Sequence, residues 1–243
     1  AMFQSVFARV ACLMLLLLLV ASGAEGGSLK LHAIFTDHMV IQRGKPITVW
    51  GWAPPGATVE VRLGEATAGA RVGAASPVAV TGHQEAYAGL GRWEVTFPAR
   101  EASTEPIQLT ATTGDTRVEL QDILIGDVWI AHGQSNMGWG LQSTTRYDMA
   151  VPQANIALLR HFGVKSNTHE TLQSDIPPES IQSGGWEVST SDTARDFSAI
   201  GFHFGSNLQR ALQVPIGIIT NSRGGASIES MVPEYKFKEL GRA

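Results

Sequence analysis

The chain has 243 residues, of which 44% are hydrophobic and only 16% charged, with a net charge of -4 and a pI near 6.0. That composition can fill one or two cores and is unlike the low-hydrophobicity, high-charge make-up of disordered chains. The weakly acidic balance gives no basic footprint for nucleic acid. The single cysteine, Cys12, excludes a disulfide framework and a cysteine-based metal site.

Arg9 precedes an unbroken apolar run from Val10 to Val20, and Ala21-Ser22-Gly23-Ala24 follows. Charged, apolar and small-residue regions in that order make a secretory signal peptide, and the run is shorter than the ~20 residues of a spanning helix. Residues 1–24 are therefore expected to be removed on export. That would leave a cysteine-free secreted or periplasmic protein with no stable membrane insertion. The competing readings are an uncleaved anchor and a buried helix.

Residues 28–121 read as all-β. Short runs such as Ile47-Thr48-Val49-Trp50, Thr58-Val59-Glu60-Val61, Trp93-Glu94-Val95-Thr96-Phe97 and Ile107-Gln108-Leu109-Thr110 are separated by turns such as Arg43-Gly44-Lys45-Pro46 and Gly114-Asp115-Thr116. That spacing suggests a β-sandwich, with Trp50 and Trp52 in its core and a long loop from Gly73 to Gly91. Residues 122–243 change grammar. Asp127–His132 reads as a strand entering Gly133-Gln134-Ser135, with Trp129 in it and Asp127 in a structural role; Ile156–Phe162 reads as another strand. Phe197–Leu212 reads as a helix with Ile200, Phe204, Leu208 and Leu212 as its apolar stripe and Ser198 or Asp196 as cap. Val214–Thr220 follows as a buried strand, then the turn Asn221-Ser222-Arg223-Gly224-Gly225 and a second helix. Helix, buried strand and glycine turn point to a parallel α/β sheet, which binds ligands beyond the carboxyl ends of its strands. Ser135 and Gly224-Gly225 would share that edge.

A serine nucleophile needs an exposed hydroxyl, a base beside it and backbone N–H groups aimed at the developing oxyanion. Taken as a bare Gly-x-Ser, Gly133-Gln134-Ser135 is more often a capping serine, and Met137 breaks the Gly-x-Ser-x-Gly elbow. Gly133-Gln134-Ser135-Asn136-Met137 nevertheless resembles the nucleophile block of SGNH-type carbohydrate esterases, specifically the sialate O-acetylesterase family. Phe35-Thr36-Asp37-His38-Met39-Val40-Ile41-Gln42-Arg43, Val49–Ala53, Ile125–Trp129, Phe197–Gly205, Val214–Ile219 and Gly224–Glu229 resemble further blocks of that family in order.

The resemblance implies a β-sandwich followed by a truncated, flavodoxin-like SGNH hydrolase sheet, an α/β fold with an all-β first part. It implies Ser135 as nucleophile of an enzyme that removes O-acetyl groups from sialic acid or related O-acetylated glycans through an acetyl-enzyme, without cofactor or metal. The oxyanion donors would be the N–H of Ser135 and one from Gly224 or Gly225. Gln134, Asn136, Trp139 and Arg223 would line the substrate site, Arg223 being suited to a sugar carboxylate. The family's third block and its late Asp-x-x-His have no match here, so the chain is expected to be a fragment or to have lost its base. The alternative is a non-catalytic carbohydrate-binding or remnant protein. His132, pointing to the sheet flank, His161 at a strand end, His169 in a loop and His203 near the helix core are weaker candidates for the base. The family often has Glu where this chain has Gly138, and an aromatic near the glycine block, where this chain has Arg223 and Met231.

Overall fold

A computed structural model describes residues 29–165, 169, 171–239 and 241; residues 1–24, expected to be a signal peptide, lie outside them. The fold is mixed α/β. In the first half, β1 (Lys30–Leu31), β3 (Ile47–Ala53) and β6 (Gly91–Phe97) form a three-stranded antiparallel sheet. It faces β4 (Thr58–Leu63), β5 (Ala66–Arg71) and β7 (Ser103–Thr113) across a core that includes Val49, Val61, Leu63, Trp93, Phe97 and Leu109. Alternation makes this core: β4 runs exposed-buried through all its positions, burying Val59, Val61 and Leu63, as a strand with one wet face should.

The outer face of the three-stranded sheet corrects an expectation. Trp50 and Trp52 point away from the main core, because Val49, Gly51 and Ala53 occupy the inward positions of β3. Trp52 is instead covered by Val78, Val80 and Leu90 of the 73–91 segment, which is a packed flap with a 3₁₀ turn at Gln84–Tyr87. Trp50 stays half-buried.

β8 (Thr116–Gly133) joins the two halves without a break at 121/122, where the sequence places the division. Its first part pairs antiparallel with β7, β2 (Val40–Gln42) pairs with it parallel at residues 124–126, and its last part, from Asp127 to Gly133, pairs parallel with β11 (Ile216–Ser222). β11 also pairs parallel with β9 (Ile156–Val164), which is flanked by antiparallel β10 (Ile181–Ser189). The order β10-β9-β11-β8 puts the expected parallel strands side by side. Arg43 clamps the joint, its Nε and Nη2 each donating to the Asp127 carboxylate at 2.9 Å. Arg160, nearly buried, pairs with Asp122 at 2.7 Å, and that ion pair with His38 holds the Asp122 carboxyl below its ordinary range despite desolvation.

The short helix α1 (Tyr147–Ala150) precedes β9, and α2 (Ala199–Leu212) covers β9 and β11. Ser198 caps α2, its hydroxyl accepting from Gly201 N–H at 3.1 Å. The expected apolar stripe faces the wrong way, however. Ile200, Phe204 and Leu212 are exposed, and only Leu208 of the four packs on the core beneath. Glycine is the reason. A Cβ on Gly205 would lie 2.7 Å from Leu159 Cδ1 and 3.0 Å from Ile218 Cγ1, so the helix rests on the sheet through its small residues. Phe204 turns to the flank, edge-on to Trp129 at 5.2 Å. The second expected helix is a 3₁₀ turn, Ile228–Met231, followed by the short helix α3 (Glu234–Glu239). Among the described residues no helix is long and apolar enough to cross a membrane.

Candidate active site

The site follows from the parallel pairing of β8 and β11. Their last partners are Gly133 and Ser222, so the chain leaves both strands at one edge, and Arg223 N–H donates to the Gly133 carbonyl at 2.9 Å. Two residues beyond that pair stand Ser135 and Gly224. Ser135 is exposed and opens the 3₁₀ turn Ser135–Gly138. A Cβ built on Gly224 would touch Ser135 Cβ at 3.7 Å, so the two turns lie against each other. Gly225 has φ of +74°, the left-handed region that a side chain would strain. The Gln134 amide donates to the Ala226 carbonyl, a second tie between the turns.

A Cβ on Gly138, where the resembled family often has Glu, would displace the Ser222 hydroxyl, which packs against this position. A cleft of about 430 Å³ on the glycine turn is lined by His132, Asn221, Arg223, Gly224, Gly225 and Ser227, among others; Ser135 and Gln134 are not among its lining residues, and Ser135 adjoins it through Gly224. Arg223 thus stands at the cleft, whereas Asn136 and Trp139 are exposed just past Ser135 and are not among its lining residues.

Two histidines differ from expectation. His132 does not turn into the sheet flank. Its exposed ring lines the cleft, with Nδ1 donating to the Asn221 carbonyl at 2.7 Å. His161 does not stand at the edge. It is 2% exposed within β9, its Nε2 bonded to Thr220 Oγ1 at 2.7 Å and its Nδ1 without a partner among the described residues. Burial pushes its pKa down to about 4. His203 is exposed on α2 in a groove with Arg146 and Arg210, and His169 lines a separate cavity with Lys165 and Asp175. Among the described residues no histidine hydrogen-bonds to Ser135, and no His/Cys/Asp/Glu group could hold a metal ion. A hydroxyl at a strand-to-turn exit beside a glycine turn can attack an acyl carbon while backbone N–H groups meet the oxyanion.

The sequence did not disclose the role of Asn221, the Ser222–Gly138 contact or the reach of His132 into the cleft. All three depend on which strand lies next to β8, a long-range pairing with no local signal.

No family model matches the chain. Human sialate O-acetylesterase is 28% identical over 245 residues, a match covering 94% of this chain and 43% of that protein. The mouse sialate O-acetylesterase is 27% identical, covering 94% of this chain and 42% of that protein. The chain is similar to sialate O-acetylesterases. A crystal structure of a carbohydrate acetylesterase from Xanthomonas citri matches with a TM-score of 0.74 and 30% identity, over 88% of this chain and 45% of that one. The chain therefore spans less than half the length of these relatives, and the resemblance read from the Gly133–Met137 block agrees with their names.

Proposed function

We propose that the chain carries the nucleophile-bearing part of a serine esterase that removes O-acetyl groups from sialic acid or related O-acetylated glycans. The observation that carries this reading is the placement of Ser135 against Gly224 at the shared exit of two parallel strands. Ser135 Oγ attacks the acetyl carbonyl carbon, and the N–H groups of Ser135 and of Gly224 or Gly225 stabilise the oxyanion. The bond to the sugar oxygen breaks, that oxygen takes the proton the Ser135 hydroxyl gives up, and water then attacks the acetyl-enzyme, returning a proton to Ser135 Oγ and releasing acetate. Arg223 meets the carboxylate of an acidic sugar. The fold reading that goes with this is a β-sandwich leading into an SGNH-type sheet, and the apolar run at residues 10–20 supports export, which amino-terminal sequencing of secreted protein checks.

A serine hydroxyl needs a base to take its proton as it attacks, and no described histidine hydrogen-bonds Ser135; without that base the oxyanion hole and binding leave roughly 10³–10⁴-fold catalysis over water. Slow turnover of 4-nitrophenyl acetate that disappears in Ser135→Ala supports the reading; equal rates in the two proteins would move the nucleophile, with Ser222 and Ser227 the next to test. The same observation favours a second reading, a sugar-binding protein without turnover. It would show as saturable glycan binding with no acetate released by either protein.

A further inference from the structure

Three hollows, each sharing a lining residue with the next, link the Gly224 turn against Ser135 to the outer face of the three-stranded sheet. Asn221 lines both the cleft on the glycine turn and a cavity of about 270 Å³ that also meets His32, Lys165 and Asp175. His32 in turn lines a third hollow of about 350 Å³ together with Trp50, Trp52, Pro77 and Arg92. The rim shared by the second and third hollows is held in place at His32. Asp175, with its side chain 1% exposed, accepts from Ala33 N–H, Ile176 N–H and Tyr87 O–H at 2.8 Å each and lies 3.3 Å from His32 Nε2. The His32 ring is thereby fixed 5.0 Å from that of Trp50, whose other neighbour, Phe35, meets it edge-on at 4.7 Å.

Trp52 has a packing role under the 73–91 flap, but Trp50 belongs neither to that cluster nor to the main core. It is a half-buried indole on the outer face of β3, facing a hollow. Arg92, opposite Trp52 in register and exposed, stands at the same hollow with its guanidinium bonded to Glu94. A rigid aromatic surface with a few polar groups around it suits a ligand that is apolar on one face and hydroxylated at its rim.

We infer that the hollow at Trp50 and Arg92 is a sugar-binding subsite that takes a pyranose ring of the same glycan chain whose acetyl ester reaches Ser135. The ring's C–H face lies on Trp50 and its hydroxyl or carboxylate groups meet Arg92. The inference rests on the esterase reading for the direction of the groove and adds to it that the substrate is an oligosaccharide chain, not a single acetylated sugar.

The test is calorimetric titration of the Ser135→Ala chain with xylotetraose and with an α2,8-linked sialic acid trimer, so that binding is read without hydrolysis. Binding of either sugar, weakened about tenfold by Trp50→Ala and by Arg92→Ala, supports the subsite and tells whether the chain is neutral or acidic. Trp50→Phe, which keeps an aromatic ring in the strand, should retain most of the affinity, and Arg92→Ala changes only an exposed residue and so guards against misfolding. Binding that neither Trp50→Ala nor Arg92→Ala weakens, or no binding of either sugar at millimolar concentration, overturns the subsite. Failure of the esterase reading is separate: it appears as 4-nitrophenyl acetate turnover that Ser135→Ala does not change.

Discussion

The Pro215 carbonyl crosses directly over Gly126: it accepts from the neighbouring Asp127 N–H at 2.9 Å, and a Cβ on Gly126 would overlap its oxygen and carbon. This is where β8 exchanges its partner β2 for β11, and hence where the strand that ends at Ser135 is set into register. The obstacle is backbone, which cannot swing aside as a side-chain tip can. Gly126→Ala should therefore destabilise the protein by about 3 kcal/mol, at the upper end of overpacking costs. Urea unfolding followed by circular dichroism measures it, and a midpoint equal to the parent's would mean that β11 yields freely.

Arg223 stands on the glycine turn at the rim of the cleft, two residues from Gly225. Its planar fork can hold a carboxylate through paired hydrogen bonds, which a small neutral ester does not offer. Arg223→Ala should lower acetyl release from an O-acetylated sialic acid about tenfold, as loss of a charge-assisted pair does, while leaving 4-nitrophenyl acetate turnover within about twofold. Equal losses on both substrates would assign Arg223 to the shape of the turn and not to the sugar.

Part of this arrangement is legible in the sequence, and the division is physical. Strands with alternating or continuous apolar residues, such as Thr58–Leu63 and Ile216–Thr220, announce themselves, and the Gly133–Met137 block marks the Ser135 turn. The face of α2 does not, because the pattern counts apolar residues while the helix packs by its glycines, Gly201 and Gly205. β10 is hidden too. Ser183 and Gly184 both have positive φ, and the irregularity they make between Ile181 and Trp186 breaks the alternation by which a strand is recognised. His161 reads as an edge residue because its strand continues two residues past Phe162, to Val164, which apolarity alone does not indicate.

Among the described residues, β8 from Asp127 to Gly133 pairs with β11 on one side and with nothing on the other. Ile130 on this segment is 70% exposed, and Trp129 and Phe204 are exposed beside it. An open strand edge with apolar side chains is a template for pairing with another chain. The protein should self-associate as its concentration rises in sedimentation velocity, and Ile130→Lys should shift it back toward monomer without lowering its unfolding midpoint. A chain that stays monomeric at every concentration would show that this edge is protected.

His161 contributes to the loss of stability in acid. Buried against Phe197 at 4.2 Å between ring centres and bonded to Thr220, it is held neutral, with its pKa pushed from 6.5 to about 4. The unfolded chain takes up a proton at this residue near pH 6.5, whereas the folded one resists until about pH 4. Between those values the unfolded state binds more protons, so stability falls as the pH is lowered; it is present in full above about 6.5 and stops falling below about 4. The loss attributable to this residue is about 3 kcal/mol. His32, also held below its ordinary pKa by burial, acts in the same direction, so the variant must be compared with the parent across the whole range. His161→Gln keeps a polar partner for Thr220 and removes the titration. Its urea midpoint, measured from pH 7.5 to 4, should change less steeply than the parent's, and parallel curves would place the acid sensitivity elsewhere.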